Sequence, residues 1–518
     1  MKMTSLCLLM PKYILSLCAG IAASLALPPM DIVPAILFFS PVFYFAVNAL
    51  TTRQAAIYVG LSSWGWFMAS LYWIGSSLFV DGGLQLLLLP FVCLLFPLFL
   101  ALFWAAGAAL AFRVFSSPSA RLIGFIICLG CADYLRSVML TGFPWNVTAH
   151  AFLGSLILAQ GASFVGQNGL NFLVLSVIVA PSLIMQRRFS LVFVSLTPFF
   201  FCLILSADRV RTFPPALDMD EVAPIIRLIQ PNISQQDKWD FDQRGAHLDK
   251  MIALARQEPN SSHLTVLPEA ALASVWPNEP ELVKNMSKLI TSPSGMMATG
   301  ILRRDEAGNL FNSVLFFDRG GQLQEIYDKQ HLVPFGEYVP YRGIPFVDVI
   351  AGSVDIKQGQ ASRPVIVSDI GSFRVLVCYE IIFPDFIAAD NFRPDVLLTL
   401  SNDAWFGQTA GPHQHFAQAR MRAIEEGLPV FRVANTGISG AIDAYGRVLA
   451  RSELGAAAVI DAPVPPALEG TVYTQLRMVA PLLLLLGYFF ISLWLEFSHR
   501  RRNKNGYTNI MCAQREEK

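Results

Sequence analysis

Charge is what this sequence has least of. Only 15% of its 518 residues are Asp, Glu, Lys or Arg, against about 25% in ordinary soluble domains. A chain this poor in charge and 54% hydrophobic is expected to carry membrane segments. The charges cancel, 38 basic against 38 acidic, and no basic stretch is interleaved with aromatics. Nucleic acid is therefore not an expected partner. The polar region of the chain also has no G-x-G-x-x-G after a strand-like run, no P-loop and no G-x-S-x-G elbow, so the usual nucleotide and serine-hydrolase sites are excluded.

Cysteine is scarce where it would build a framework. The eight are Cys7, Cys18, Cys93, Cys128, Cys131, Cys202, Cys378 and Cys512, and the long polar region holds Cys378 alone. A lone thiol closes no disulfide within its domain, and no Cys/His set has zinc spacing. No metal is expected. Cys128-x-x-Cys131 lies inside an apolar run and reads as packing.

What is present in quantity is apolar runs, each on the order of the 20 residues that span a bilayer. They fall at about Tyr13–Pro28, Ile32–Leu50, Ala55–Ile74, Leu84–Phe112, Leu122–Leu140, Leu153–Met185 and Leu191–Ser206, and an eighth follows at Met478–Leu495. Leu84–Phe112 is long enough to be tilted or broken near Pro90 or Pro97. Lys2, Lys12, Arg53, Arg113, Arg121, Arg187, Arg188 and the Arg500–Lys504 cluster all land on one side when the spans are counted through. By the positive-inside rule that side is cytoplasmic, so the polar region is expected outside it. The expected organisation is a seven-span membrane domain at 1–207, an extracytoplasmic domain at 208–475, an eighth span at 476–497 and a basic cytoplasmic tail at 498–518. Within the spans, Asp133 and Arg136 share a helix face and suit either a structural ion pair or a lipid head-group contact.

The polar region alternates short β-branched strands with helical stretches: strands at Ile225–Gln230, Leu264–Leu267, Met296–Ile301, Ser313–Asp318, Gln324–Tyr327, Val375–Cys378, Val396–Thr399, Val430–Ala434 and Gly440–Asp443, and a helix at Phe241–Glu258. That alternation predicts an α/β layered domain. Three strand ends carry titratable groups: Glu269, Lys329 and Cys378. Each alone is unremarkable, and a thiol at a strand end suits an inert core cysteine as well as a nucleophile. Together they have the parts of a thiol enzyme: a carboxylate to take the proton and an ammonium to stabilise thiolate or oxyanion.

At these residues the chain resembles a known family. Pro268-Glu269, Tyr327-x-Lys329-x-His331 and Cys378-Tyr-Glu380 resemble the Glu-Lys-Cys signature of the nitrilase, or carbon–nitrogen hydrolase, superfamily. HLVPFGEYVP at 331–340, CYEIIFP at 378–384, SNDAWFG at 401–407, GPHQH at 411–415, Asn435-Thr-Gly437 and TGFPW at 141–145 look like its membrane branch, the apolipoprotein N-acyltransferases. The resemblance implies an α-β-β-α nitrilase sandwich joined to a multi-span helical membrane bundle in the bacterial inner membrane, the catalytic domain being periplasmic. It implies that Cys378 takes an acyl chain from a phospholipid, phosphatidylethanolamine above all, and passes it as a thioester to the α-amine of a diacylglyceryl apolipoprotein. Glu269 would be the general base, Lys329 the oxyanion partner and Glu337 the support of Lys329. Trp239, Asn312, Tyr379, Glu380 and Trp405 would line the pocket, and no cofactor is implied. Phe346–Ile350, Phe383–Phe386 and Trp405-Phe406 suit either lids toward the bilayer or ordinary core. The base segment departs from the family's usual Trp-Pro-Glu-Thr-Ala: it reads Leu267-Pro-Glu-Ala270-Ala, which bears on pocket shape and acyl preference.

Two rival readings use the same residues. A membrane-anchored amidase would need the same trio but not eight spans or the longer strings. A transporter or scaffold would need either more polar groups in mid-membrane or no reason to keep a single thiol at a strand end.

Overall fold

A computed structural model describes residues 3–215, 223–257, 261–340, 355–360, 365–367, 370–387 and 392–516. The chain divides into two compact units: Met1–Tyr72 with Phe91–Arg211 and Gln475–Lys518, and Trp73–Pro90 with Thr212–Thr474. Among the described residues, five helices are long and apolar enough to cross a membrane: Gln85–Val114, Pro118–Val138, Ala162–Met185, Phe189–Arg211 and Val479–Arg502. Two shorter apolar helices, Met10–Ala26 and Val33–Val47, and the 20-residue helix Thr52–Leu71 take up the remaining apolar runs. Thr51 starts that last helix by accepting a hydrogen bond from the Gln54 N–H, the usual N-cap arrangement.

The long run from Leu84 is irregular where its prolines fall. A 3-10 turn at Gly83–Leu88 and a π turn at Phe91–Leu95 precede an α-helix that begins only at Phe96, with Pro97 in its first turn, where a missing N–H costs nothing. The Ala162–Met185 helix kinks at Gly166 (φ 65°, ψ 176°), a conformation that calls for glycine. Asp133 and Arg136 are both buried and 3.2 Å apart. Asp133 also accepts from Trp104 Nε1 at 3.0 Å and Asn171 Nδ2 at 2.9 Å, and Arg136 donates to the carbonyls of Phe143 and Trp145. The pair is internal, and it holds the TGFPW loop.

The second unit contains two sheets. The first joins β1 (Ile225–Gln230), β2 (Leu264–Val266), β3 (Leu272–Trp276), β4 (Met296–Arg304), β5 (Leu310–Phe317) and β6 (Leu323–Asp328) to β13 (Ala458–Pro463), in the order β13-β1-β2-β4-β5-β6 with β3 on β4. The second comprises β7 (Val365–Val367), β8 (Gly371–Val377), β9 (Val396–Ser401), β10 (Val430–Ala434), β11 (Gly440–Ile442) and β12 (Val448–Arg451), in the order β12-β11-β10-β9-β8-β7. Period-two alternation turns Ile226 and Leu228 of β1, Val314 and Phe316 of β5, and Phe373, Val375 and Val377 of β8 into one core between the sheets. On the far face of the first sheet, the Arg244–Ala255 and Pro280–Ile290 helices pack against Ile229, Met297, Leu315 and Phe317. Val283, Met286 and Ile290 form the buried stripe of the latter helix. The Ala410–Glu426 helix packs at β10 of the second sheet. The result is helix, sheet, sheet, helix, the α-β-β-α sandwich.

The strands absent from the sequence reading are β3, β7, β12 and β13. These are short or half-exposed segments with weak alternation, such as β12, whose four residues are partly or fully exposed.

Candidate active site

Three strand ends converge. β2 runs through Leu267 and Pro268 to Glu269, and Gly300 of β4 lies behind that turn. A Cβ at Gly300 would come within 2.5 Å of the Glu269 Cα, the Ala270 N and the Pro268 carbonyl, so only glycine lets the base segment lie this close. Ala270 itself adopts φ 48°, and Leu267 belongs to the helix-facing core. Lys329 follows β6 directly, and its N–H donates to the Asn312 carbonyl at 2.8 Å.

The Lys329 ammonium is buried between two carboxylates, 3.4 Å from Glu269 Oε1 and 2.9 Å from Glu337 Oε2. Asn312 Nδ2 bridges the same pair, donating to Glu269 Oε1 at 2.8 Å and Glu337 Oε1 at 2.7 Å. Glu337 is oriented in turn by the Val333 N–H at 2.8 Å. Burial works against the charge on Lys329, but Glu337 and then Glu269 more than offset it and hold the ammonium above its ordinary range. Lys329 therefore stays cationic at any physiological pH.

Cys378 follows β8 directly, at φ 52°. A non-glycine residue in the left-handed region stores strain of order 1 kcal/mol or more, and surrounding contacts must hold it there. Glu380 is one such contact. Its carboxylate accepts from the Val377 N–H at 2.6 Å on one side, and from the Tyr327 hydroxyl at 2.8 Å, the Gln330 N–H at 2.7 Å and the His331 N–H at 2.9 Å on the other. It thus ties the end of β6 in one sheet to the end of β8 in the other. Burial pushes Glu380 up to about 7 against these donors. The thiol of Cys378 is raised well above its usual range, by burial first and then by the Glu269 charge, with Lys329 and Arg432 opposing. The Cys378 side chain rests as a thiol, and attack by its sulfur would require a base.

Behind Cys378 lies a second polar group. Asp403 is bound by Arg432 Nη2 at 2.7 Å and lies 3.0 Å from His415 Nδ1, while His415 Nε2 is 3.0 Å from the Cys378 carbonyl. A carbonyl only accepts, so Nε2 carries a proton, and Nδ1 lies between Asp403 and Arg432 Nη2, the latter at 3.1 Å. Burial and then Arg432 lower His415, with Asp403 and the Cys378 carbonyl opposing. Asp403, although buried, is brought down to about 2 by Arg432 and His415. The Cys378, Asp403 and His415 donor atoms lie within 4.8 Å of one another and resemble a metal-ligand set. Arg432, the Cys378 carbonyl and one another already occupy the Asp403 and His415 donors, so the set reads as a hydrogen-bonded relay.

The remaining candidates are mostly aromatic. Tyr379 is buried, its ring 5.7 Å from His331 and 5.0 Å from Phe383. Phe383 is itself 4.0 Å from His331 and is core. Trp239 and Trp405 are 48% and 37% exposed, and Phe406 packs edge-on at 4.5 Å against Trp73. Phe346–Ile350 lies outside the described residues. The sequence alone points to none of Lys238, Asp403 and Arg432 as site residues, and His413-x-His415 reads there as a structural pair without a carboxylate, whereas His415 has Asp403 beside it. Two of these were in view within SNDAWFG and GPHQH, but only the fold brings the two strings together.

Residues 225–473 match the carbon-nitrogen hydrolase family, the class to which this two-sheet unit and its thiol site belong. Residues 19–180 match the N-terminal domain of apolipoprotein N-acyltransferases. Among curated relatives named apolipoprotein N-acyltransferase, that of Rhodopseudomonas palustris is 32% identical, over 90% of this chain and 91% of its own. That of Brucella melitensis biotype 1 is 31% identical over 93% and 95%, and that of Rickettsia prowazekii 32% over 93% and 98%. The chain belongs to the apolipoprotein N-acyltransferase family and is an acyltransferase.

Proposed function

We propose that this protein moves an acyl chain from a phospholipid to the N-terminal α-amine of a diacylglyceryl apolipoprotein through a thioester on Cys378. It would do so as a multi-pass protein of the bacterial inner membrane, with residues 208–475 on the periplasmic side. The observation that carries the chemistry is the buried Lys329 ammonium held between Glu269 and Glu337 beside a thiol that rests protonated.

Glu269 takes the Sγ proton as sulfur attacks the ester carbonyl, and the developing oxyanion faces the Lys329 ammonium. The carbon–oxygen bond breaks, the proton passes from Glu269 to the leaving oxygen, and a lysophospholipid departs. The acceptor amine then attacks the thioester, Glu269 receives its proton, and the carbon–sulfur bond breaks to return the thiol. Two easier steps replace one hard one, with ping-pong kinetics as the signature. Glu337 and Asn312 hold the base and the ammonium in register, and Glu380 holds the two strand ends. Exposed Trp239 and Trp405 suit contact with acyl chains.

Intact-mass analysis of the purified protein incubated with phosphatidylethanolamine tests this reading. The expected result is a hydroxylamine-sensitive acyl adduct on the wild type and none on Cys378→Ala. Absence of the adduct in the wild type, with release of ammonia from small amides, would replace this reading with an amidase.

A further inference from the structure

Lys238 is inside the protein where its neighbours are not. It is 4% exposed, while Trp239 and Phe241 beside it are 48% and 78% exposed. Its N–H bonds back to the Ser234 carbonyl at 3.1 Å. The loop leading to it is anchored by Asn435, whose side chain accepts from the Ile233 N–H at 3.0 Å and donates to the Ile233 carbonyl at 2.8 Å. The Lys238 ammonium donates to the main-chain carbonyl of Glu269 at 2.9 Å. Among the described residues no carboxylate lies within 4.0 Å of it. A buried ammonium with only a neutral partner in contact costs several kcal/mol in lost hydration. Such a group persists where it faces negative charge.

That charge is present. Glu269 and Glu337 share the single Lys329 ammonium, one cation for two carboxylates, while buried Glu380, on which Lys329 also acts, is held by neutral donors. Asp403 is balanced by Arg432. Burial brings Lys238 down to about 8, with Glu269 and then Cys378 opposing, and the charges acting on Cys378 are Glu269, Lys329, Asp403 and Arg432. With Lys238 the base, its ammonium and Glu337 sum to neutrality. The sum is unchanged when the thiol proton moves to Glu269, so the first step moves charge without creating any.

We propose that Lys238 is a positioning residue for the general base: anchored on the Glu269 carbonyl, its ammonium supplies the second positive charge that keeps the Glu269 carboxylate ionised beside Glu337. This rests on the assignment of Glu269 as base. Removal of the charge leaves two carboxylates on one cation, and the Glu269 side chain then binds a proton at higher pH.

Two rates are measured against pH in full-length protein: acylation of Cys378 in a single turnover with phosphatidylethanolamine, and alkylation of Cys378 by iodoacetamide without lipid, read on the Cys378 peptide by mass. Lys238→Gln keeps a donor for the Glu269 carbonyl and removes the charge. Its acid limb is expected about one pH unit above the wild type in both measurements, and Lys238→Arg, which keeps the charge, is expected to retain the wild-type position. A Lys238→Gln profile that is lower at every pH with an unmoved midpoint would reduce Lys238 to a strut and overturn the proposal. Should Lys238→Gln not fold, a moved acid limb in Lys238→Arg overturns it and an unmoved one upholds it. If Glu269→Gln keeps the wild-type acid limb, the base assignment fails instead.

Discussion

His415 holds the main chain of Cys378: its Nε2 lies 3.0 Å from the Cys378 carbonyl, at a residue whose φ of 52° requires support. With Nε2 committed to that carbonyl and Nδ1 between Asp403 and Arg432, the imidazole has no free nitrogen for the thiol proton. A cysteine, a histidine and an aspartate within 4.8 Å thus do not form a Cys-His-Asp catalytic triad here.

His415→Ala is therefore expected to slow Cys378 acylation by about tenfold to a hundredfold, the order associated with a misplaced reacting group, while its pH midpoint stays where the wild type has it. His415→Gln, whose amide N–H can reach the same carbonyl, should recover part of the rate. Single-turnover acylation between pH 5 and 9 checks both. A midpoint that moves with His415→Ala would make the imidazole the base.

Much of this site was legible in the sequence because strands end abruptly. Glu269, Lys329 and Cys378 each follow a β-branched run, and a polar residue after such a run lies at the lip of a sheet. The strings around Lys329 and Cys378 carried the family. Lys238 was hidden by its neighbours, since a lysine between an aspartate and a tryptophan on a polar loop reads as solvated. Arg432 was hidden differently: it occupies a central strand, where alternation predicts an apolar residue, and it is stable there because Asp403, Ser401 and the Ile438 carbonyl take its donors. The Pro280–Ile290 helix carries its buried stripe at helical spacing in Val283, Met286 and Ile290, whereas the Ala410–Glu426 helix is buried along most of its length and shows no one-sided stripe.

Glu380 belongs to the same strand-end string as Cys378, yet its four donors come from both sheets. Glu380→Gln retains one accepting oxygen and turns an NH2 toward N–H groups that need an acceptor. Leaving a buried donor unpaired costs about 1–3 kcal/mol, so the variant should melt at lower temperature and lose acylation together. Glu380→Asp, which keeps the charge on a shorter arm, should fall between. A Glu380→Gln protein with wild-type melting would show that the sheet ends are held without it.

Asp403 gives a stability prediction with a definite sign. Burial alone would raise it, but Arg432 and His415 bring it from 3.8 down to about 2. The folded protein thus binds this proton less readily than the unfolded chain does. The stabilisation is complete above pH 3.8 and is lost as pH falls through about 2. A shift of this size corresponds to roughly 2 kcal/mol. Asp403→Asn lacks the titration, so the melting difference between wild type and variant should be constant from pH 7 to about pH 4 and shrink below it. Thermal melting of the detergent-solubilised pair across that range checks the window. A difference that instead grows as pH falls from 7 to 5 would mean that His415 takes up a proton there beside Asp403, and that the ring holding the Cys378 carbonyl is cationic below that range.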